Sequence, residues 1–157
     1  MWHRRLTAAL AVGAVAALAA GCGGGSSRLS KAQYEQRVQA DGKALTEVTS
    51  AISANLTSIA QLKTAVANAR TALKKAANDL ESLKPPVEAE AANAAFVKAL
   101  REIETDLGAI ADAVSKGDMA TVMAAVGKLG SSPAVKSAET AAAQLKKLGY
   151  QLGALGG

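Results

Sequence analysis

The sequence predicts an all-α protein, an antiparallel helical bundle of about four long segments that follows a cleaved signal peptide and a flexible tether. Of the 157 residues, 38 are alanine, the strongest helix former, and only 3% are aromatic. So few aromatic and β-branched residues disfavour a β-sandwich or a barrel. Beyond residue 30, apolar residues recur every three or four positions, which is the period of an amphipathic helix.

The N-terminal 21 residues have the organisation of a signal peptide. Arg4 and Arg5 form a positive region, residues 6–20 are uncharged and almost wholly apolar, and small residues precede Cys22. As a helix the apolar run would span roughly 22 Å, less than the ~30 Å hydrocarbon core of a bilayer, so a permanent membrane-spanning helix is disfavoured. The paired arginines also suggest twin-arginine export, although the rest of that motif is absent.

The expected cleavage site resembles the lipobox of bacterial lipoproteins. The segment reads Leu18-Ala19-Ala20-Gly21-Cys22, and this cysteine is the only one in the chain. The resemblance implies that diacylglycerol is attached to the Cys22 thiol, that signal peptidase II cuts between Gly21 and Cys22, and that the new amine is often acylated too. Ala19 stands where the family usually has leucine. The alternative is an ordinary secreted protein whose cysteine follows the cleavage site by chance.

Residues 22–29 are expected to form the lipidated cysteine and its tether. The five residues after Cys22 are glycine and serine, a flexible composition that reaches roughly 12–15 Å as a random coil. Two or more acyl chains anchor a protein stably, so the expected location is the extracytoplasmic face of the cell membrane. Arg28 and Lys31 follow the tether, where they are either solvated surface charges or contacts to anionic headgroups.

The first two helical segments share one heptad pattern. Ser30 and Gln33 match a capping box at the start, and Pro85 ends the second segment. Between them, apolar residues are spaced by seven at Val38, Leu45, Ile52, Ile59, Val66, Leu73 and Leu80. A single helix over residues 30–84 would be about 82 Å long and would leave half its length unpartnered. This favours a break within residues 53–57, with Asn55 or Thr57 as the new N-cap.

The third segment has the clearest amphipathic pattern. It begins after Pro86, with Glu88 and Glu90 where the helix dipole favours negative charge, and it ends at Gly117, which suits a left-handed C-terminal position. Its apolar stripe is Phe96, Leu100, Ile103, Leu107, Ile110 and Val114.

The fourth segment begins with Asp118 as N-cap and is interrupted near Ser132-Pro133. Ser132 can cap a new helix in which Pro133 is the first residue, and Gly149 closes it. The bundle domain is therefore placed at residues 30–150, followed by a disordered tail at residues 151–157.

The sequence offers little for catalysis, so no enzyme activity and no catalytic residue is predicted. The only histidine, His3, lies in the signal peptide, and a nucleophile needs a base beside it. A serine–lysine pair at Ser137 is conceivable, but nothing in the sequence brings a lysine to it. The mild net charge of +5 and three widely spaced aromatic residues beyond the signal peptide argue against binding of nucleic acid.

The clustered carboxylates have a structural explanation. Glu102, Glu104 and Asp106 lie close in sequence, and Lys98 is spaced to form a surface ion pair with Glu102. A di-iron bundle needs a Glu-x-x-His motif, which is absent. No metal site and no cofactor is therefore predicted.

The body of the chain resembles an Ala-rich helical domain of uncharacterised actinobacterial lipoproteins. The matching segments are residues 29–35, 40–44, 83–87, 116–118, 131–134 and 148–150. This resemblance implies a helical extracytoplasmic domain and no particular activity. The expected function is a membrane-anchored, non-catalytic interaction module that binds an envelope protein. The alternative is a carrier of a small apolar ligand or lipid, for which Met119 and Met123 would line an adaptable groove. The oligomeric state is left open.

Overall fold

The computed structural model describes residues 27–55 and 58–153, and within them the prediction of an all-α bundle is confirmed. The helices are α1 (Lys31–Ala54), α2 (Ile59–Ser82), α3 (Glu90–Lys116), α4 (Met119–Gly130) and α5 (Pro133–Lys147), with a short 3-10 turn at Val87–Ala89. Together α4 and α5 form the interrupted fourth segment. None of the described helices is both long and apolar enough to cross a membrane. Residues 1–21 and Cys22 lie outside the described residues.

The break between α1 and α2 is confirmed, but the residue that starts α2 is not one of the two expected. Asn55 instead ends α1, where its side-chain amide donates to the carbonyl of Ala51 at 2.6 Å. Ser58 caps α2 and accepts from the backbone N–H of Gln61 at 3.4 Å. Asparagine has both a donor and an acceptor, and here its donor satisfies a free carbonyl at the C-terminus of the preceding helix. Thr57 lies outside the described residues.

The other helix ends are where the sequence predicts them. Ser30 and Gln33 form the capping box, with both hydrogen bonds present. Gly117 has a φ of 71°, in the left-handed region, and ends α3. The Asp118 carboxylate accepts from two backbone N–H groups of α4 at 3.0 and 3.2 Å, and Ser132 caps α5 ahead of Pro133.

Helix α3 is the centre of the bundle. It packs against α2, α4 and α5, while α1 packs against α2. Two contacts show that the long segments run antiparallel. The N–H of Leu29, just before α1, donates to the carbonyl of Lys84, just after α2, at 2.7 Å. Tyr150, after the end of α5, contacts Glu88, just before α3. We call the end that holds the start of α1, the α2–α3 hinge (residues 83–90) and residues 147–152 the basal end. The opposite end, at the ends of α1 and α3, is the distal end.

The core combines one stripe of large side chains with many alanines. The expected stripe of α3 is buried apart from Ile103, which is half-buried. Buried alanines of α2 and α3 accompany this stripe, namely Ala69, Ala76, Ala77, Ala92, Ala99 and Ala113. Because alanine buries much less apolar area than leucine, close approach of the helices is obtained with a core of modest total burial.

The expectation of a frayed tail is wrong for its first residues. Leu152 is 3% exposed and belongs to the core, next to the equally buried Tyr150. The N–H of Gln151 donates to Glu35 at 2.8 Å, and its carbonyl accepts from Gln39 at 2.7 Å. Residues 150–152 therefore dock on α1 as a short extended piece with alternate side chains buried. Residues 154–157 lie outside the described part.

Candidate functional site

The described chain begins five residues after the predicted lipidation site, so the structure bears on how a tether meets the bundle. Gly21 and Cys22, the predicted cleavage and lipidation residues, lie outside the described residues. Ser27 is the first described residue, and it is exposed at the basal end. Contacts made by the next few residues therefore determine where anything attached at Cys22 joins the fold.

The residues after the tether are fixed to the α2–α3 hinge. Leu29 donates its N–H to the carbonyl of Lys84, and the guanidinium of Arg28 donates to the carbonyl of Pro85 at 3.0 Å. Arg28 also forms an ion pair with Glu90 at 3.0 Å. A hinge of two prolines offers carbonyls without matching N–H donors, and the incoming chain uses those carbonyls. The junction is thus part of the folded domain.

A buried hydrogen-bond relay lies directly behind this junction. The hydroxyl of Tyr34 donates to Asn93 at 2.9 Å, and the amide of Asn93 donates to the carbonyl of Leu80 at 3.1 Å. Tyr34 is fully buried and Asn93 is 6% exposed. Burial raises the pKa of the Tyr34 hydroxyl above its usual range, and the neighbouring Tyr150 adds to this effect. The relay joins α1, α2 and α3 at the basal end.

Tyr150 links the end of α5 to the same cluster. Its ring meets that of Tyr34 edge-on at 5.4 Å, and its hydroxyl donates to Glu88 at 2.9 Å. Burial, assisted by the hydrogen bond to Glu88, raises the pKa of Tyr150 to about 12. A backbone hydrogen bond and the bond from Tyr150 hold the pKa of Glu88 below its usual range. Lys31 lies over the Tyr150 ring at 5.1 Å. Arg28 and Lys31 thus remain exposed while contacting the bundle.

The two methionines that were expected to line a binding groove differ in burial. Met119 is half-buried against the core, whereas Met123 is 48% exposed. A groove of about 610 Å³ between α3 and α4 is open to solvent. It is lined instead by Ala109, Ala124, Ala125 and Leu129, with polar groups that include Asp106, Thr121 and Lys128.

The carboxylates of α3 have separate roles. Lys98 pairs with Glu102 at 2.8 Å, which confirms the predicted surface pair. Glu104 pairs with Arg70 of α2 at 2.8 Å, a contact that the sequence did not indicate. Asp106 lies at the groove beside α4. Residues 27–55 and 58–153 contain no group of three or more acidic, His or Cys side chains that could hold a metal ion. Ser137 is exposed on α5.

One titratable residue with a shifted pKa was not identified from the sequence. Asp41 lies half-buried between α1 and α2, where burial, together with the Asp79 carboxylate, raises its pKa to about 6. Lys75, which forms an ion pair with Asp79, and Arg37 oppose this shift. The signal was present in the sequence, because a position three after Val38 falls on the apolar stripe of α1.

The described arrangement positions helices and an incoming chain through hydrogen bonds, ion pairs and aromatic contacts. No protein-family model matches this chain significantly, and neither does any curated protein or solved structure.

Proposed function

We propose that this chain is a membrane-anchored extracytoplasmic lipoprotein that acts as a non-catalytic helical interaction module of the cell envelope. The observation that carries the proposal is the position of the only cysteine. Cys22 follows an uncharged 15-residue apolar segment and small residues, and a glycine-serine tether follows it. Acyl chains on that cysteine would hold the protein at the outer surface of the cell membrane.

The contacts of the junction support a defined orientation for an anchored bundle. Since Arg28 and Leu29 are fixed to the hinge, a tether of roughly 12–15 Å would keep the basal end close to the membrane. Helix α3 has 27 residues, which corresponds to about 40 Å. The distal end would therefore project well beyond the lipid headgroups.

Helix α4 is the face that we assign to a protein partner. Val122 is its only buried residue, Lys128 is its only charged one, and Met123 is exposed. The open groove beside it, lined by alanines and Leu129, could accept an apolar helix of a partner. The partner would be an envelope protein that presents a complementary apolar surface.

Replacement of the anchor residue tests the location. In the native host, the wild-type protein is expected in the membrane fraction, with an intact mass that begins at Cys22 and includes acyl chains. The Cys22→Ser variant should leave the membrane fraction or remain as uncleaved precursor, while the Ser26→Ala control should behave as wild type. A native product that still begins at Met1, or that carries no acyl mass, refutes the anchor.

Site-specific photocrosslinking tests the docking face. A photoreactive residue at Met123 should give a discrete protein adduct in intact cells, and the same probe at Ala67, exposed on α2, should not. A second substitution, Ala124→Glu, should remove the adduct without changing the helical circular dichroism. Identical adducts from positions 67 and 123 would exclude α4 as the specific face.

The second candidate function is a carrier of a small apolar ligand or lipid. The groove between α3 and α4 favours it, since its volume of about 610 Å³ lies in the range of ligand pockets. Native mass spectrometry of the protein purified from its own host separates the two functions. A retained small molecule that Leu129→Glu removes would support the carrier, and a co-purified protein lost on Ala124→Glu would support the module.

A further inference from the structure

The basal end has an unusual concentration of exposed apolar side chains. Among the described residues, three large hydrophobic side chains are exposed: Val87 at 68%, Met123 at 48% and Leu148 at 44%. Two of these three lie at the basal end, where the chain leaves toward Cys22. Exposed hydrophobic residues are ordinary when they are scattered singly, so a grouping at one end requires an explanation.

The contact between the α2–α3 hinge and the end of α5 also brings Val87 and Leu148 to the basal end. Val87 precedes Glu88 in the 3-10 turn of the hinge, and Leu148 is two residues before Tyr150. The hydrogen bond from the Tyr150 hydroxyl to Glu88 joins these two segments at 2.9 Å. Val87 and Leu148 are therefore one and two residues from this hydrogen bond, at the corner formed by the α2–α3 hinge and the end of α5.

Basic residues surround this corner. Lys84 lies in the hinge, Lys146 and Lys147 lie in the last turn of α5, and all three side chains are exposed. Lys31 is also near, because its ammonium group lies 3.0 Å from where a Cβ on Gly149 would be. Arg28 completes the set at the start of the chain.

The carboxylates of the basal end are already engaged. Glu90 pairs with Arg28, Glu88 accepts from Tyr150, and Glu35 accepts from the N–H of Gln151. Counted without Lys146, the four basic groups Arg28, Lys31, Lys84 and Lys147 outnumber these three carboxylates and leave this end positive. Anionic lipid headgroups attract such a cluster, and neighbouring apolar side chains can enter the boundary between headgroups and acyl chains.

We propose that a basal surface made of Val87, Leu148, Lys31, Lys84 and Lys147 rests on an anionic lipid surface. This inference builds on the proposed lipid anchor, which would leave from the same end and hold the surface within reach of the bilayer. Two apolar side chains offer far too little area for a stable protein interface. They suffice for a membrane contact, because a short tether makes it intramolecular and raises the effective concentration of the surface.

Fluorescence of introduced tryptophans tests the proposal. The chain from Cys22 onward has no tryptophan, since Trp2 is the only one. We would place the mature lipoprotein in vesicles of phosphatidylcholine with about 30% phosphatidylglycerol, a composition chosen for its negative surface potential. Emission of the Leu148→Trp variant should shift to the blue, and brominated acyl chains should quench it about twofold or more because the indole enters the acyl boundary.

The matched control is Met123→Trp, because Met123 has nearly the same exposure but lies toward the distal end. Its emission and quenching should not change with vesicles. Charge reversal at Lys84→Glu and Lys147→Glu, or phosphatidylcholine alone, should abolish most of the quenching at position 148. Circular dichroism of each variant checks that the helices are intact.

Equal quenching at positions 123 and 148, or none at position 148, overturns the proposal. A blue shift at position 148 that needs no vesicles and grows with protein concentration would also overturn it, in favour of contact between copies. Failure of the anchor is distinguishable, because intact mass reports acylation independently of fluorescence. If the chain carries no acyl group, adding it to the same vesicles still tests the surface, and salt-sensitive quenching would support it.

Discussion

Removal of the Asn93 side chain is the most informative perturbation of the described structure. Asn93 accepts from the buried Tyr34 hydroxyl and donates to the carbonyl of Leu80, at 2.9 and 3.1 Å. In the described residues every buried side-chain polar atom has a hydrogen-bond partner. The Asn93→Ala variant would leave the buried Tyr34 hydroxyl without a partner and remove one of the two hydrogen bonds to the Leu80 carbonyl, which also accepts from the N–H of Leu83 at 3.3 Å.

The expected loss follows mainly from the Tyr34 hydroxyl. An orphaned buried donor or acceptor costs about 1–3 kcal/mol, and this hydroxyl is fully enclosed. We therefore expect Asn93→Ala to lower the free energy of unfolding by roughly 1–3 kcal/mol. Tyr34→Phe, which orphans only one acceptor, should lower it by about 1–2 kcal/mol.

Urea denaturation followed by far-ultraviolet circular dichroism measures these differences. Asn68→Ala is the matched control, because Asn68 is exposed on α2 and makes the same change in helix propensity. The double variant Tyr34→Phe with Asn93→Ala should lose less than the sum of the two single losses, since both act on one hydrogen bond. If Asn93→Ala and Asn68→Ala differ by less than about 0.5 kcal/mol, the relay does not stabilise the bundle as argued.

Three further outcomes follow from the structure. The folded pKa of Asp41, about 6, exceeds its usual value of 3.8, so its contribution to stability is present below pH 3.8 and is lost as the pH rises through 6. Asp41→Asn should therefore raise the free energy of unfolding by about 1 kcal/mol in urea titrations near pH 7.5, after allowance for solvent screening. An equal gain near pH 3.5 would count against the burial of this carboxyl. Tyr34 and Tyr150, the only tyrosines, should show little phenolate absorbance at about pH 10.5 until urea unfolds the chain. The free energy of unfolding should fall as the pH rises above about 10. Ordinary titration of both tyrosines in the folded protein would contradict their burial. Gly117→Ala, at a φ of 71°, should lower the thermal midpoint by the equivalent of about 1 kcal/mol. Gly108→Ala, in open space within α3, should raise the midpoint by a similar amount. A shift of the midpoint in the same direction for both variants would refute the backbone argument.

The helix ends were predictable because capping acts within one turn. Ser30 with Gln33, Asp118 and Ser132 with Pro133 each satisfy free backbone groups of residues within about four positions, so the pattern and its effect lie in the same short segment. The same locality explains Gly117. The mistake at Asn55 has a related cause, since the same residue can end one helix or start the next, and only the position of the chain reversal decides between them.

Residues far apart in sequence were not predictable in this way. Tyr34 and Asn93 are 59 positions apart, and Arg70 and Glu104 are 34 apart, so neither pair is marked by any local spacing. Leu152 looked like part of a frayed tail because its burial depends on α1, at the other end of the chain.

By itself, the sequence determined that this protein is helical, where most of its helices begin and end, and that its only cysteine follows a signal-like segment. Periodicity, capping and composition are local properties, and local interactions enforce them. The tertiary structure alone decided that Leu29 meets Lys84, that Tyr150 meets Glu88, and that Val87 and Leu148 therefore share the basal end. Such pairs form only when packing of the apolar stripes brings distant segments together, because no single segment can bury its own apolar face.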